Sequence, residues 1–286
     1  MKNSCIVLEG GGLRGAFTSG VLECLLERGI NFDRVIGVSA GACVGASFVS
    51  KQTGRNRKVN VEYPSDKRYM GLWHLLTTGS YFNMKFVFRE LPVRIVPFDE
   101  KSFYENATEF DVVTTSLDTG ESIYFSKSEM EDIGIDKVLV ASSSIPLLSQ
   151  PAEIKGRLFL DGGVSDSIPV QYALSAHEKA VVVLTRPRGY RKRKVRNRAL
   201  LNLVFRKNPR FLKTLLNRNN AYNATLDFCF QMEREGKLFI VAPSPEFSIG
   251  RTEKSLEKRM RLYNHGYDFM SQNIQELQLF LTKSEI

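Results

Sequence analysis

Histidine is scarce in this chain of 286 residues: His74, His177 and His265 are all it has. None stands in a glycine-rich turn or at the end of an apolar run, so each reads as a surface or packing residue. Cysteine is sparse too. Cys5, Cys24, Cys43 and Cys229 are scattered through apolar stretches and form no Cys-x-x-Cys pair. They read as buried free thiols in a reducing compartment. With no His-Glu-x-x-His helix either, no metal and no cofactor is expected. No apolar run approaches the ~18 residues of a membrane span. Ile6-Val7-Leu8 gives way at once to Glu9 and glycines, so no secretory leader is expected. Internal repeats are absent. Acidic residues are missing altogether from positions 179 to 226. These absences fit a cytoplasmic protein with a substantial core.

What is present is a set of glycine-rich turns. Val35-Ile36-Gly37-Val38 reads as a short buried strand and residues 42–49 as a helix, with Ser39 on the turn between them. A sharp strand-to-helix turn crowds the backbone, so the positions two before and two after the serine must be small. Gly37 and Gly41 occupy them. Such a turn lifts the hydroxyl over a helix N-terminus, whose partial positive charge favours a developing anion.

Upstream, Cys5-Ile6-Val7-Leu8 reads as the first strand and residues 16–27 as a helix ended by Gly29. Between them lies Glu9-Gly10-Gly11-Gly12-Leu13-Arg14-Gly15. Consecutive glycines leave backbone N–H groups uncovered at a helix start, a device suited to an oxyanion or a phosphate. Gly10-x-Gly12-x-x-Gly15 also fits a dinucleotide-binding loop. That site wants an acid at the end of the second strand. Here the second strand runs into Ser39, and Asp33 precedes the strand. Acyl chemistry is therefore favoured over nucleotide binding.

The third piece is Asp161-Gly162-Gly163 at the end of the strand-like Arg157-Leu158-Phe159-Leu160. Alone it is a turn with an Asx cap. Beside a serine elbow in a chain poor in histidine, it offers a carboxylate able to act directly on the serine.

In this order the three pieces resemble the patatin-like phospholipase family: G-G-G-x-R-G at residues 10–15, G-x-S-x-G at 37–41 and D-G-G at 161–163. Ala141-Ser142-Ser143-Ser144-Ile145-Pro146 is similar to the A-S-x-x-x-P segment that the family places between its nucleophile and aspartate. The likeness spans residues 4–185. It implies an α/β fold of three layers, α/β/α, with a mostly parallel central sheet, and a Ser-Asp dyad in place of a triad. It also implies hydrolysis of acyl esters of phospholipids or related lipids. By position, Ser39 would be the nucleophile and Asp161 the proton acceptor. Backbone N–H groups of Gly11, Gly12 and Ala40 would form the oxyanion hole, within a loop that includes Gly10 and Gly15. Arg14 would be the basic residue beside it, and Gly162 and Gly163 would shape the turn after the aspartate.

Elsewhere, βα alternation predicts a sheet covered on both faces. Residues 110–115 and 122–125 read as paired strands around Asp118-Thr119-Gly120, residues 130–142 as one helix, and 180–184 as a buried strand. A helix is expected from Pro169 to His177. Residues 53–69 are polar and basic and read as an exposed loop flanking the mouth of the site.

After position 185 the character changes. Residues 186–286 read as a basic, mainly helical C-terminal extension packed on a catalytic core of residues 1–185. Arg186, Arg188, Arg191, Lys192, Arg193, Lys194, Arg196 and Arg198 crowd together and leucines follow. Cations interleaved with leucines across 186–218 suit an amphipathic element on an anionic membrane. A solvated basic face is the plainer reading, and nucleic-acid binding is the least favoured of the three. Residues 252–281 suggest one or two more helices. The expectation is thus a serine acyl hydrolase of lipid esters, cytoplasmic or peripheral at the inner face of the membrane. The alternatives are a nucleotide-binding protein using residues 10–15, or a non-catalytic lipid-binding protein of the same fold.

Overall fold

The computed structural model describes residues 4–282. Five strands are parallel: β1 (Cys5–Leu8), β2 (Arg34–Val38), β3 (Glu109–Ser116), β7 (Ala180–Val183) and β8 (Leu238–Val241). β4 (Ser122–Ser126) and β6 (Arg157–Asp161) run antiparallel to β3, and β5 (Ala152–Ile154) runs antiparallel to β6. The order across the sheet is β5-β6-β3-β2-β1-β7-β8, with β4 also paired on β3. The helices in chain order are α1 (Gly15–Glu27), α2 (Ala40–Val49), α3 (Arg55–Arg57), α4 (Leu72–Thr78), α5 (Glu100–Glu105), α6 (Lys127–Ile133), α7 (Ile135–Ser142), α8 (Val170–Leu174), α9 (Arg198–Val204), α10 (Pro209–Arg234), α11 (Leu256–Gln272) and α12 (Ile274–Thr282).

Period-two alternation divides the core. Ile6, Leu8, Val35, Val181 and Val183 face one layer, with Phe17 of α1, Phe48 of α2 and Leu262 of α11. Cys5, Val7, Ile36, Val38 and Val182 face the other, with Val170 of α8 and Leu226 of α10. Both faces are covered, so the central strands are apolar without interruption. This is the three-layer arrangement expected.

Three details differ from the sequence reading. Residues 130–142 form two helices, because Gly134 adopts φ +96° and ends α6. The segment 53–69 is not an exposed loop. It folds as α3 and short wider and tighter helical turns, with Asn56, Val59, Val61 and Tyr69 buried. Its polar groups are spent on internal acceptors: Asn56 Nδ2 donates to Val44 O at 3.0 Å. The fully buried Arg259 of α11 donates to Val61 O at 2.8 Å and to Ser65 Oγ at 2.7 Å. Residues 186–282 supply, beside their helices, the strand β8, which pairs with β7 and extends the sheet. Leu201, Phe205, Phe211 and Leu215 of this region pack on Leu160 and Val164, either side of Asp161.

α1 and α11 cross at a pair of glycines. A Cβ on Gly20 would lie 2.0 Å from Tyr263 O, and one on Gly266 would lie 2.2 Å from Phe17 O. Helix propensity alone makes Gly→Ala stabilising by about 1 kcal/mol. The overlap with backbone reverses the sign, since overpacking costs about 1–3 kcal/mol. Gly20→Ala and Gly266→Ala should therefore each lower the urea unfolding midpoint. A raised midpoint would show that the helices do not approach this closely.

Candidate active site

The elbow is as tight as its glycines suggest. A Cβ on Gly37 would lie 2.4 Å from Ala42 Cα, and one on Gly41 would lie 2.2 Å from Leu8 O. Ser39 itself holds φ +55°, ψ −122°. For a residue with a side chain this is a strained conformation, costing on the order of 1–3 kcal/mol. Its N–H donates to Ser142 Oγ at 2.8 Å, and Ser142 Oγ donates onward to Val113 O at 2.6 Å. α2 starts at Ala40, two residues earlier than its apolar pattern suggests. Serine at a helix start usually caps it, yet the Ser39 side chain makes no cap hydrogen bond. Its Oγ donates instead to Asp161 Oδ2 at 2.8 Å.

Asp161 ends β6 opposite Thr114. Its N–H donates to Ser144 O at 2.8 Å, and Gly163 N–H donates to its Oδ1 at 2.7 Å. One carboxylate oxygen is thereby tied to the turn and the other faces Ser39. Gly162 passes so close to β3 that a Cβ would lie 2.2 Å from Val113 O. A serine hydroxyl held on a buried carboxylate can give up its proton as it attacks. The Ser-rich block 141–146 thus does specific jobs that its composition did not disclose: Ser142 fixes the backbone of Ser39, and the carbonyl of Ser144 fixes that of Asp161.

The glycine loop wraps this pair. Gly10 packs against Ser39 Cβ, Gly11 against the Thr185 side chain and Gly15 against Ala40 Cβ. Gly12 takes φ +58° and faces the same cavity as Ser39 and Ala40. Leu13 N–H donates to Arg251 O at 2.9 Å. Arg14 does not line the cavity with Gly12 and Ala40. Its side chain is buried in a separate charged group around Glu9, where burial and then Arg186 lower its pKa to about 10.

The cavity has a volume of about 510 Å³ and a mainly apolar lining, including Leu13, Val59, Tyr69, Phe82, Phe88 and Val93. Its walls come from the segment 55–69 and from a wide helix of π type at Phe86–Ile95. Cys43 lines it as well, so this thiol is not sealed in the core as the other three are. Burial raises its pKa to about 11.

The histidines stand elsewhere. His74 Nε2 lies 3.1 Å from Lys67 O on α4, and His177 is buried beyond α8, which ends at Leu174. His265 stacks on Phe247 at 4.1 Å between ring centroids.

A model described as patatin-like phospholipase matches residues 6–174, more than half of the chain. The chain belongs to the patatin-like phospholipase family. A domain of unknown function matches residues 208–282. The uncharacterized protein YjjU of Escherichia coli is 29% identical over 191 residues, covering 63% of this chain and 50% of that protein. Human patatin-like phospholipase domain-containing protein 2 is 27% identical over 176 residues, 58% of this chain and 33% of that one. The lysophospholipase NTE1 of Mycosarcoma maydis is 28% identical over 207 residues, 65% of this chain and 10% of that one. The chain therefore spans half or less of the length of these relatives. Among solved structures, VipD from Legionella pneumophila shares the fold with a TM-score of 0.50 at 16% identity, covering 96% of this chain and 67% of that chain.

His265 has a structural use with a pH consequence. Its Nε2 accepts the Ser244 N–H at 3.0 Å, which only the neutral ring can do. Burial lowers its pKa below the ordinary histidine value. The folded state therefore binds fewer protons here than the unfolded state, whose pKa is ~6.5. The stability it contributes is present above ~6.5 and is lost as pH falls through the folded pKa. The urea midpoint should be lower at about pH 5 than at about pH 7.5, and His265→Gln should shrink that difference. An undiminished difference in the variant would remove His265 from the account.

Proposed function

We propose that this patatin-like phospholipase is a serine acyl hydrolase with a Ser39–Asp161 dyad, cleaving acyl esters of phospholipids or related lipids. The observation that carries the reading is the 2.8 Å hydrogen bond from Ser39 Oγ to Asp161 Oδ2 beside an apolar cavity of about 510 Å³. Ser39 Oγ attacks the ester carbonyl and Asp161 takes its proton. Backbone N–H groups of Gly11, Gly12 and Ala40 hold the oxyanion, where losing one donor typically costs ~2.7–4 kcal/mol. Asp161 passes that proton to the departing alcohol, and an acyl-serine remains. Asp161 then draws a proton from water as the water oxygen attacks the acyl carbonyl, and returns it to Ser39 Oγ as the fatty acid leaves. The apolar lining suits an acyl chain, and the names of the NTE1 relatives support a lipid ester.

Ser39→Ala and Asp161→Asn should each lower kcat on a short-chain aryl ester by at least about 10³-fold with the fold intact, as single losses in a unit that acts together do. His74→Gln, His177→Gln and His265→Gln should retain most activity. Loss at one of these histidines, with native circular dichroism, would overturn the dyad.

Approach to a membrane surface is part of the same reading. The basic stretch 186–218 supports it only in part. Arg188 pairs with Glu233 at 2.6 Å and Arg191 with Asp227 at 2.5 Å. Lys192 is turned over the Tyr222 ring at 3.7 Å. Arg193, Lys194, Arg196 and Arg198 are exposed beside the outward Leu200, Leu203 and Val204 of α9, and Arg206, Lys207, Arg210 and Lys213 are exposed further along. A second apolar surface is Leu72, Trp73 and Leu76 on α4, each at least 70% exposed, in the excursion between the cavity-lining Tyr69 and Phe82. Tryptophan and leucine in a short exposed helix suit a lipid interface. Replacing Arg193, Lys194, Arg196 and Arg198 with Gln, or Trp73 and Leu76 with Ser, should weaken sedimentation with phosphatidylglycerol vesicles while leaving aryl-ester hydrolysis nearly unchanged. The charge variant should matter less as salt rises, because the Debye length falls to about 3 Å at 1 M. Unaltered vesicle binding in both variants would remove the membrane role from these surfaces.

A further inference from the structure

Beside the dyad lies a group of cations that the acyl chemistry does not use. Lys192 Nζ reaches Ser167 Oγ at 3.4 Å, and Ser167 Oγ donates to Gly163 O at 2.7 Å. Arg218 Nη2 and Asp161 Oδ1 both lie about 3 Å from where a Gly163 Cβ would stand. Arg251 packs on Gly12 from the other side, with its carbonyl oxygen 2.6 Å from the position of a Gly12 Cβ. Arg14, Lys192, Arg218 and Arg251 are close enough to repel one another electrostatically. Among the described residues none of the four forms an ion pair with a carboxylate.

The acids nearest them are already engaged: Asp161, whose charge reaches Arg218, holds Ser39 Oγ and the Gly163 N–H, and Glu9 is satisfied by neutral donors. Glu9 accepts from Thr185 N–H at 2.5 Å, Thr185 Oγ1 at 3.0 Å and Tyr222 O–H at 2.7 Å. Nε and Nη1 of Arg14 and Nε of Arg218 are buried with no hydrogen-bond partner among the described residues. Buried donors of this kind are costly to leave unmade, more so when charged. Burial, then the nearby Arg218, holds the Lys192 ammonium well below the ordinary lysine pKa, as a cation lacking its anion would be. Arg218 is lowered by burial in the same way.

The topology of the sheet points to the same place. β1 and β7 are adjacent and parallel, and their chains leave in opposite directions, β1 toward β2 and β7 toward β8. Glu9 and Thr185 mark the carboxyl ends of these two strands. In open parallel sheets the crevice at such a divergence is where ligands bind.

We propose that Lys192, Arg218 and Arg251, together with Arg14, form a binding site for a phosphate monoester next to Asp161. Guanidinium forks match phosphate oxygens. A monoester carries about −1.5 to −2 charge near neutral pH, which answers several unpaired cations better than the single charge of a diester. The phosphate comes from a lipid head group ending in phosphate or from free phosphate in solution. The first source rests on the hydrolase reading and makes the substrate a lipid whose phosphate seats beside the scissile ester. The second makes phosphate a ligand that blocks the site.

The test separates the binding from the chemistry. Full-length Ser39→Ala protein is titrated by calorimetry with sn-glycerol 3-phosphate and, separately, with inorganic phosphate. Both should bind. Lys192→Met and Arg218→Gln, each in that background, should weaken binding at least about tenfold, and Lys192→Arg should restore it, with circular dichroism reporting an unchanged fold. In the Ser39 protein, kcat/KM is compared for a 1-acyl-glycerol 3-phosphate, the matching glycerophosphocholine and a monoacylglycerol. A head-group site predicts at least about a tenfold preference for the phosphate-terminated lipid, expressed in KM, and lost in Lys192→Met. Binding of both phosphates without that preference assigns the site to free phosphate. No binding of either phosphate at tens of millimolar, or binding indifferent to both substitutions, overturns the proposal. If the Ser39 protein hydrolyses no ester at all, the hydrolase reading falls, while the calorimetry still decides the phosphate site.

Discussion

Ser39 sits at a backbone angle that a residue with a side chain resists, and its surroundings are built to keep it there. Gly37 and Gly41 allow the close approaches that the turn requires, Ser142 holds its N–H, and Asp161 takes its hydroxyl. Each of these contacts comes from a different part of the chain. β2 and α2 make the turn, β3 anchors Ser142 through Val113 O, and β6 carries the aspartate. The strain is local and small against the whole fold, but it fixes which atoms face the cavity. Had Ser39 relaxed to cap α2, its hydroxyl would have turned to the helix N–H groups and away from Asp161.

The C-terminal third bears on the same place from the opposite side. Leu201, Phe205, Phe211 and Leu215 brace Leu160 and Val164, so the strand end that presents Asp161 is packed from outside the family-matched region. The same third brings Lys192, Arg218 and Arg251 within electrostatic reach of the glycine loop and the aspartate. The phosphate site we propose and the turn that holds Ser39 thus come from separate stretches of sequence that meet at the carboxyl ends of β1, β2 and β7.

Much of this was legible beforehand. The strands at 5–8, 34–38 and 180–183 were readable because buried parallel strands leave an apolar run, and the two glycine-flanked turns because no other residue fits them. The pairing of Ser39 with Asp161 followed from motif order in a chain poor in histidine. The failures have physical reasons. Residues 53–69 looked exposed because their polar groups satisfy buried acceptors, and local sequence does not show Arg259 arriving from α11. Gly134 was overlooked as a break inside an otherwise helical run. Arg14 read as part of the oxyanion loop because it neighbours the glycines in sequence, whereas its side chain departs toward Glu9. Lys192 lay in a run of like charges, and composition cannot separate the one cation folded over Tyr222 from its solvated neighbours.

The glycine loop occupies residues 10–15, yet Leu13 is held by the carbonyl of Arg251, and Gly12 packs on that same residue. During synthesis at ~5–20 residues per second, the first strands and the elbow leave the ribosome long before that partner exists. The loop can take its final form only once Arg251 has emerged. A nascent chain therefore carries its serine early and completes the surrounding loop late, so that any hydrolytic competence waits for a residue more than two hundred positions further on.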